Sequence, residues 1–348
     1  MKKNRETKLK KGGSACLLLA LMVMLFMQTC TAGAWAEEAA EDVTPNAKAA
    51  ILYEATTGTV LYEKEADMQL SPASMTKVMT AIMVLEENPN LEGELTVDER
   101  AVDSFYCSSM EPQKHLEAGE VISYEDCMNY FLIQSGNEAG TAFAFELVGD
   151  VSEFAKKMTA KAKELGCENT EFRDPHGISP NNVTTPRDMA KIAEYALTFD
   201  KFREIVCKTA GTVPPSNKRD VGFDYTNTNE LLAHSDLYDN SYEGYIKGVK
   251  TGWTPPAGYC FTGYMEKDGL KWISVVMGVM NDGHAADGTA IRGDLPETVE
   301  MLKLTDGVTA EDLKKPVSAG LIAGIIAVVV IILIVIAVLY KKRHRREM

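Results

Sequence analysis

The run from Met75 to Leu85 places Met75, Val78, Met79, Ile82, Met83 and Leu85 nearly all round one helical barrel. A helix that is apolar on every side cannot lie on a surface, so the fold must wrap it. Ser71 reads as its N-cap and Pro72 as its first helical residue, where a missing N–H costs nothing. Asn88-Pro89-Asn90 ends it near Glu87. This frame puts Ser74 at the third helical position, with Lys77 almost one turn later on the same face. A hydroxyl beside an amine has the form of a nucleophile–base pair. By itself the pair says little, because Ser-x-x-Lys arises about once by chance in a chain of average composition.

Around that helix the pattern alternates between strands and helices. Ala49–Ala55 and Gly58–Tyr62 read as a hairpin turned by Thr56-Thr57-Gly58. Residues 92–122 mix strand-like pieces with a polar loop. Ser123 opens a helix to about Gln134, broken at Ser135-Gly136-Asn137. Helices follow at Glu138–Val148 and Ser152–Leu165. Asn169–Phe172 reads as a short strand, Asp174-Pro175-His176-Gly177 as a turn, and Thr184-Thr185-Pro186 as the start of another helix. From Val221 the texture becomes β-branched and aromatic. Strands are expected at Val221–Tyr225, Tyr245–Lys250, Gly258–Met265 and Leu270–Met280, then a long loop over 281–294 and a last helix at Pro296–Leu304. Strands at both ends with helices between predict an α+β domain whose antiparallel sheet joins the first and last segments.

The ends of the chain differ from its middle. Residues 1–13 carry six Lys/Arg and one Glu, and residues 341–348 carry five and one, so the part between holds 25 basic and 48 acidic residues, or −23. So acidic a body argues against nucleic acid as a partner. The lysine-rich start, the apolar run Ala15 to Met27 and Ala34-Trp35-Ala36 predict a signal peptide over residues 1–36. A lipoprotein reading through Met27-Gln28-Thr29-Cys30 is a poor match. Residues 317–340 hold no charge, and 24 positions at ~1.5 Å each make about 36 Å of helix, enough to cross a bilayer. The basic tail 341–348 predicts a cytoplasmic C-terminus and an extracytoplasmic body at residues 37–305, with 306–316 as a linker. Five cysteines remain past the signal, Cys107, Cys127, Cys167, Cys207 and Cys260. They show no C-x-x-C pair and no metal-ligand spacing, and their odd number leaves at least one free thiol. No metal or other cofactor is expected.

Three stretches carry candidate chemistry: Ser74 with Lys77, Ser135-Gly136-Asn137 at a helix break, and Lys250-Thr251-Gly252 at the end of a strand, where glycine admits close backbone approach. Ser179-Pro180-Asn181 also fits Ser-x-Asn, so that motif alone is nearly worthless. In this order and on these elements, the three together match a known set of acyl-transfer motifs. His176 invites a Ser-His-Asp reading, but Gly-x-Ser-x-Gly is absent, and a histidine between Pro and Gly reads as a turn residue.

The chain resembles the penicillin-recognising serine enzymes, and most closely the low-molecular-mass D-alanyl-D-alanine carboxypeptidases of peptidase family S11. The likeness spans about Ala49 to Leu304. It rests on the hairpin, Ser71-Pro72-Ala73-Ser74-Met75-Thr76-Lys77, Gln134-Ser135-Gly136-Asn137-Glu138-Ala139 and Asp174-Pro175-His176-Gly177. Thr185-Pro186-Arg187-Asp188-Met189-Ala190, Asn227-Thr228-Asn229 and Gly248-Val249-Lys250-Thr251-Gly252 continue it. The family more often has Asp where Glu138 stands.

The resemblance implies a β-lactamase/transpeptidase-like fold and hydrolysis of peptidoglycan stem peptides ending in D-Ala-D-Ala, with β-lactams as inhibitors. It implies Ser74 as nucleophile, Lys77 as general base and Ser135 as proton shuttle. Burial and a second cation, Lys250, would push the Lys77 pKa down. Asn137 would bind the substrate amide, and the N–H groups of Ser74 and Trp253 would form the oxyanion hole. Lys250, Thr251 and Gly252 would meet the terminal carboxylate, with Arg292 as a possible helper. The N-cap Ser71 hydroxyl competes for the Ser74 N–H. Two alternatives stand beside this reading. A class A β-lactamase needs Glu-x-x-x-Asn between the second and third motifs, and none occurs from Glu138 to Glu243. A catalytically silent wall-binding or penicillin-sensing module would keep the fold without turnover.

Overall fold

The computed structural model describes residues 42–102, 114–285 and 288–313. The expected signal, the apolar stretch 317–340, the basic tail and Cys107 lie outside these residues. Among the described residues no helix is long and apolar enough to cross a membrane.

The body is α+β. Its main sheet has five strands: β1 (Ala49–Glu54), β2 (Thr59–Lys64), β3 (Ile246–Thr254), β4 (Gly258–Lys267) and β5 (Leu270–Val279). Their order across the sheet is β2-β1-β5-β4-β3, and each neighbouring pair is antiparallel. The expected closure of first segment onto last is therefore present. β1 pairs with β5 from Ala49↔Met277 to Glu54↔Trp272. Alternation along the strands loads both faces. Ile51, Tyr53, Ile273, Val275 and Met277 enter a core on one side, while Ala50, Leu52, Trp272, Val276 and Val279 enter a second core on the other. A sheet covered on both faces explains why these strands read as near-continuous apolar runs.

The larger core holds α1 (Lys77–Glu87), whose Val78, Met79, Ala81, Ile82, Val84 and Leu85 are buried. Around it stand α2 (Tyr124–Ile133), α3 (Asn137–Val148), α4 (Val151–Glu164) and α5 (Pro186–Ala196). Each fully buried Leu, Ile, Val or Met contributes about 1.5–3 kcal/mol, so the wrapped helix is a main source of stability as well as the base of the site. The helix α6 (Asp200–Val206) was not expected from the sequence. Its span is short, and its first turn opens on Asp200 without a side-chain cap. Asn169–Phe172, expected as a strand, makes only the bridge Glu171↔Val183. Ala210–Val213 pairs with Phe223–Thr226 instead. The last helix, α7 (Asp294–Leu302), covers the second face of the sheet.

The compact unit runs from Asp42 to Leu313. Residues 306–313 thus belong to the body rather than to a linker. Tyr242 donates to Asp306 at 3.0 Å, Lys267 pairs with the same carboxylate, and Leu313 is 5% exposed within the second core. Cys127, Cys167, Cys207 and Cys260 are free thiols, with Cys207 alone of the four exposed.

Candidate active site

Ser74 sits where the chain turns into α1. The local start differs from the expected capped α-helix. Ala73 takes φ +46°, and the first turn, Ala73–Thr76, is a 3-10 turn with Pro72 in the cap position and no side-chain cap. Ser71 Oγ is buried and has no partner among the described residues. It therefore leaves the Ser74 N–H alone, and no backbone acceptor among the described residues takes that N–H either. Two glycines let the surrounding backbone close on this point. A Cβ on Gly252 would lie 3.1 Å from Ser74 N and 2.7 Å from Pro72 O, and one on Gly177 would fall 1.8 Å from Ala73 O.

Lys77, fully buried, donates from Nζ to Ser74 Oγ at 2.9 Å, to Asn137 Oδ1 at 2.7 Å and to the His176 carbonyl at 2.8 Å. All three acceptors are neutral oxygens. With Oδ1 turned to Lys77, the Asn137 amide has its Nδ2 donors left for a substrate carbonyl. Asn137 opens α3 behind Gly136, and Ser135 holds φ +71°, a left-handed conformation that a non-glycine residue adopts at a cost of about 1–3 kcal/mol. The Tyr130 ring fills the space a Gly136 side chain would need, 2.0 Å from the ideal Cβ. Tyr130 donates to Glu138 Oε1 at 2.5 Å, and the Leu116 N–H reaches the same oxygen at 3.1 Å. Burial would raise the Glu138 carboxyl, but hydrogen bonds from His115, Tyr130 and Leu116 hold it below the usual range. Glu138 is thus a buried clamp on residues 115–116, a task for which the longer side chain serves.

β3 forms the opposite wall and is an edge strand, so one side of its backbone faces away from the sheet. Lys250, 1% exposed, donates to Thr251 O at 3.2 Å and to Thr228 Oγ1 at 3.4 Å. Thr228 and Thr251 share a hydroxyl–hydroxyl bond of 2.6 Å. N–H and C=O groups two residues apart on a strand point the same way. The Trp253 N–H therefore points as the Thr251 carbonyl does, toward Lys250. Ser74, Ser135, Asn137, Thr228, Thr251, Gly252, Trp253 and Arg292 line one cleft of about 550 Å³, whose other rim is Ile178 and Pro180.

Arg292 reaches this cleft, but as a held group rather than a loose arm. Its Nη2 donates to Asp294 Oδ2 at 2.7 Å, Gly252 O at 3.0 Å and Cys260 O at 3.3 Å. Burial pushes the Asp294 carboxyl up from the usual aspartate range, against the pull of Arg292. His176 stands in the turn it was expected to make. Its Nδ1 accepts from the Ile178 N–H at 3.3 Å, and burial pushes its pKa down to about 4, against the opposing charge of Asp174. Asp174 in turn accepts from the N–H groups of His176, Gly177 and Ser179. The ring is neutral, and what the residue gives the site is its carbonyl. Thr228 and the His176 carbonyl are site groups to which the motifs assign no role. Thr228 precedes Asn229, which caps Glu230–Ala233 by accepting from Leu231 N at 3.2 Å. A cap next to a short helix was the available signal for placing it.

Fold and site together set a serine hydroxyl beside a buried amine at the wall of one cleft, the arrangement of the serine acyl-transfer class. Comparison with known proteins makes the class specific. The profile of the D-alanyl-D-alanine carboxypeptidase family, peptidase S11, matches residues 36–281. The chain belongs to this family. It is 34% identical over 269 residues to the D-alanyl-D-alanine carboxypeptidase DacF of Bacillus subtilis, covering 75% of this chain and 66% of that protein. The crystal structure of the Streptomyces K15 DD-transpeptidase is similar with a TM-score of 0.65 and 28% identity, over 76% of this chain and 98% of that one. Penicillin-binding protein D2 from Listeria monocytogenes, in its ampicillin-bound form, is similar with a TM-score of 0.58 and 29% identity, over 74% and 97%. The chain spans just under two thirds of the length of DacF and 64% of Escherichia coli DacC.

Proposed function

We propose that this protein is a serine D-Ala-D-Ala carboxypeptidase that removes the terminal D-alanine from peptidoglycan stem peptides. The observation that carries the reading is the Ser74 Oγ, 2.9 Å from the buried Lys77 Nζ, in a cleft it shares with Ser135, Asn137 and Thr251. Lys77 in its amine form takes the Ser74 proton as Oγ attacks the penultimate carbonyl. The developing oxyanion meets the N–H groups of Ser74 and Trp253, which need no reorganisation at that moment. Asn137 Nδ2 holds the upstream amide. Ser135 hands a proton from the lysine side to the leaving nitrogen, the C–N bond breaks, and D-alanine departs. Water then releases the acyl group, with Lys77 again as base. Lys250, Thr251, Gly252 and Arg292 hold the terminal carboxylate. β-Lactams acylate the same serine, a reading supported by the ampicillin-bound relative from Listeria.

The same proposal places the body outside the cytoplasm, delivered by the signal at 1–36 and anchored by a membrane helix at 317–340 with its basic tail inside. Support is the uncharged run between a soluble body and a cluster of Lys and Arg. The test is release of D-alanine from diacetyl-Lys-D-Ala-D-Ala and labelling by a fluorescent penicillin, each with wild type and Ser74→Ala. Both signals should vanish in the variant. Equal labelling of both proteins would remove Ser74 from the mechanism, and labelling without D-alanine release would leave a penicillin-sensing module.

A further inference from the structure

Arg292 precedes α7 and projects back across the sheet toward β3. Three acceptors share its Nη2: the Asp294 carboxylate, the Gly252 carbonyl on β3 and the Cys260 carbonyl on β4. Its guanidinium lies over the Tyr259 ring, 5.0 Å from the centroid. Nε is buried without a partner among the described residues. No protein acceptor among them meets Nη1, although the residue lines the cleft beside Thr251 and Ser74. The guanidinium fork is therefore divided. One nitrogen is tied into the scaffold, and the other is left for the cleft.

Asp294 supplies the anionic part of that tie. It has no exposure, and Oδ1 has no partner among the described residues, so its polar contact with the protein runs through Oδ2 to Arg292. Its backbone is fixed independently. A Cβ on the preceding Gly293 would fall 2.0 Å from Asn281 O, and Thr298 Oγ1 donates to Asp294 O at 2.8 Å. A carboxylate locked this way can set the rotamer of a long arginine, which otherwise has many to choose from.

We propose that Asp294 is a positioning residue for the carboxylate subsite: it holds Arg292 Nη2 against the Gly252 carbonyl, so that Nη1 is presented to the terminal carboxylate of the peptide. This rests on the carboxypeptidase reading above. Fixing the guanidinium before substrate arrives removes an ordering cost from binding.

The experiment compares diacetyl-Lys-D-Ala-D-Ala with the same peptide carrying a C-terminal amide. Asp294→Ala should raise KM for the carboxylate peptide about tenfold, the size of one charge-assisted hydrogen bond, and leave the amide peptide unchanged. Asp294→Asn, which keeps an oxygen for Nη2, should restore most of the affinity. In an Arg292→Ala background, Asp294→Ala should add nothing. Arg292→Lys keeps the charge without the fork and should behave as Arg292→Ala does; this arm decides if Asp294→Ala does not fold. Equal losses on both peptides, additive losses in the double variant, or rescue by lysine would each overturn the proposal. A wild type that is acylated by penicillin but releases no D-alanine sinks the carboxypeptidase reading instead. The same variants are then compared by their rates of penicillin acylation, since penicillin also carries a carboxylate.

Discussion

The His176 ring packs within the turn that delivers its carbonyl to Lys77, and its neutrality has a consequence for stability. Its folded pKa lies at about 4 against an ordinary value of 6.5, because burial disfavours the imidazolium. Between those values the unfolded chain binds a proton that the native state refuses, so stability falls as pH drops from 6.5 toward 4 and levels off below. At pH 4.5 this loss is about 2–3 kcal/mol relative to pH 7. Asp174, whose carboxyl is held low by His176 and by backbone N–H groups against its burial, adds a loss of the same sign at lower pH. Urea midpoints at pH 7 and pH 4.5 should therefore differ more for wild type than for His176→Gln, and an identical pH response in both would show that His176 does not titrate this way. None of this could be read from Asp174-Pro175-His176-Gly177 alone. The turn was legible from its Pro and Gly. Which atom of the histidine meets the lysine depends on where the turn lands, and that is fixed by the 1.8 Å space a Gly177 side chain would have to share with Ala73 O.

At the scale of elements, two helix starts that look alike in sequence differ in kind. Thr185-Pro186 is a working cap: Thr185 Oγ1 accepts from Asp188 N at 3.1 Å, with Pro at the first helical position. Ser71-Pro72 has the same form, yet its hydroxyl is buried and unpartnered among the described residues because Ala73 turns left-handed before the helix begins. Thr185→Ala should cost about 1 kcal/mol, the usual worth of a cap. Ser71→Ala should be neutral or slightly stabilising, since it removes a polar atom with nothing to bond. Thermal melts of the two variants check this, and a larger loss at Ser71 than at Thr185 would refute the assignment. The comparison explains what the sequence revealed. Local grammar, such as Ser123 or Thr185 before a helix and apolar alternation in β1 and β5, is carried by neighbours in the chain and was readable. The 3-10 start at Ala73 is imposed by Gly252 and Gly177, which lie more than a hundred residues away, and no local pattern announces it. α6 and the Ala210–Val213 strand were missed for a related reason, since each is short and stabilised mainly by what it packs against.

For the whole molecule, the deciding question is where the folded body ends. Sequence texture places the boundary at Thr305, because polar residues follow and the uncharged run begins soon after. The structure carries the chain back onto α7 instead. Leu313 joins Leu302, Val299 and Tyr242 in the second core, Val308 packs at its edge, and Asp306 meets both Tyr242 and Lys267. The ion pair at Asp306 is half exposed and is worth little. Leu313 is the main contributor, since burying one leucine stabilises by about 1.5–3 kcal/mol. A body ending at Thr305 should therefore be about 2–3 kcal/mol less stable than one ending at Leu313. At about 2–4 °C per kcal/mol for a domain of this size, the melting point should fall by roughly 5–10 °C. Leu313→Ala in the longer version should reproduce most of that fall, while Asp306→Asn should move it by no more than about 2 °C. Calorimetry on the four proteins decides the matter. Equal melting points for the two lengths would return residues 306–313 to the role of a linker.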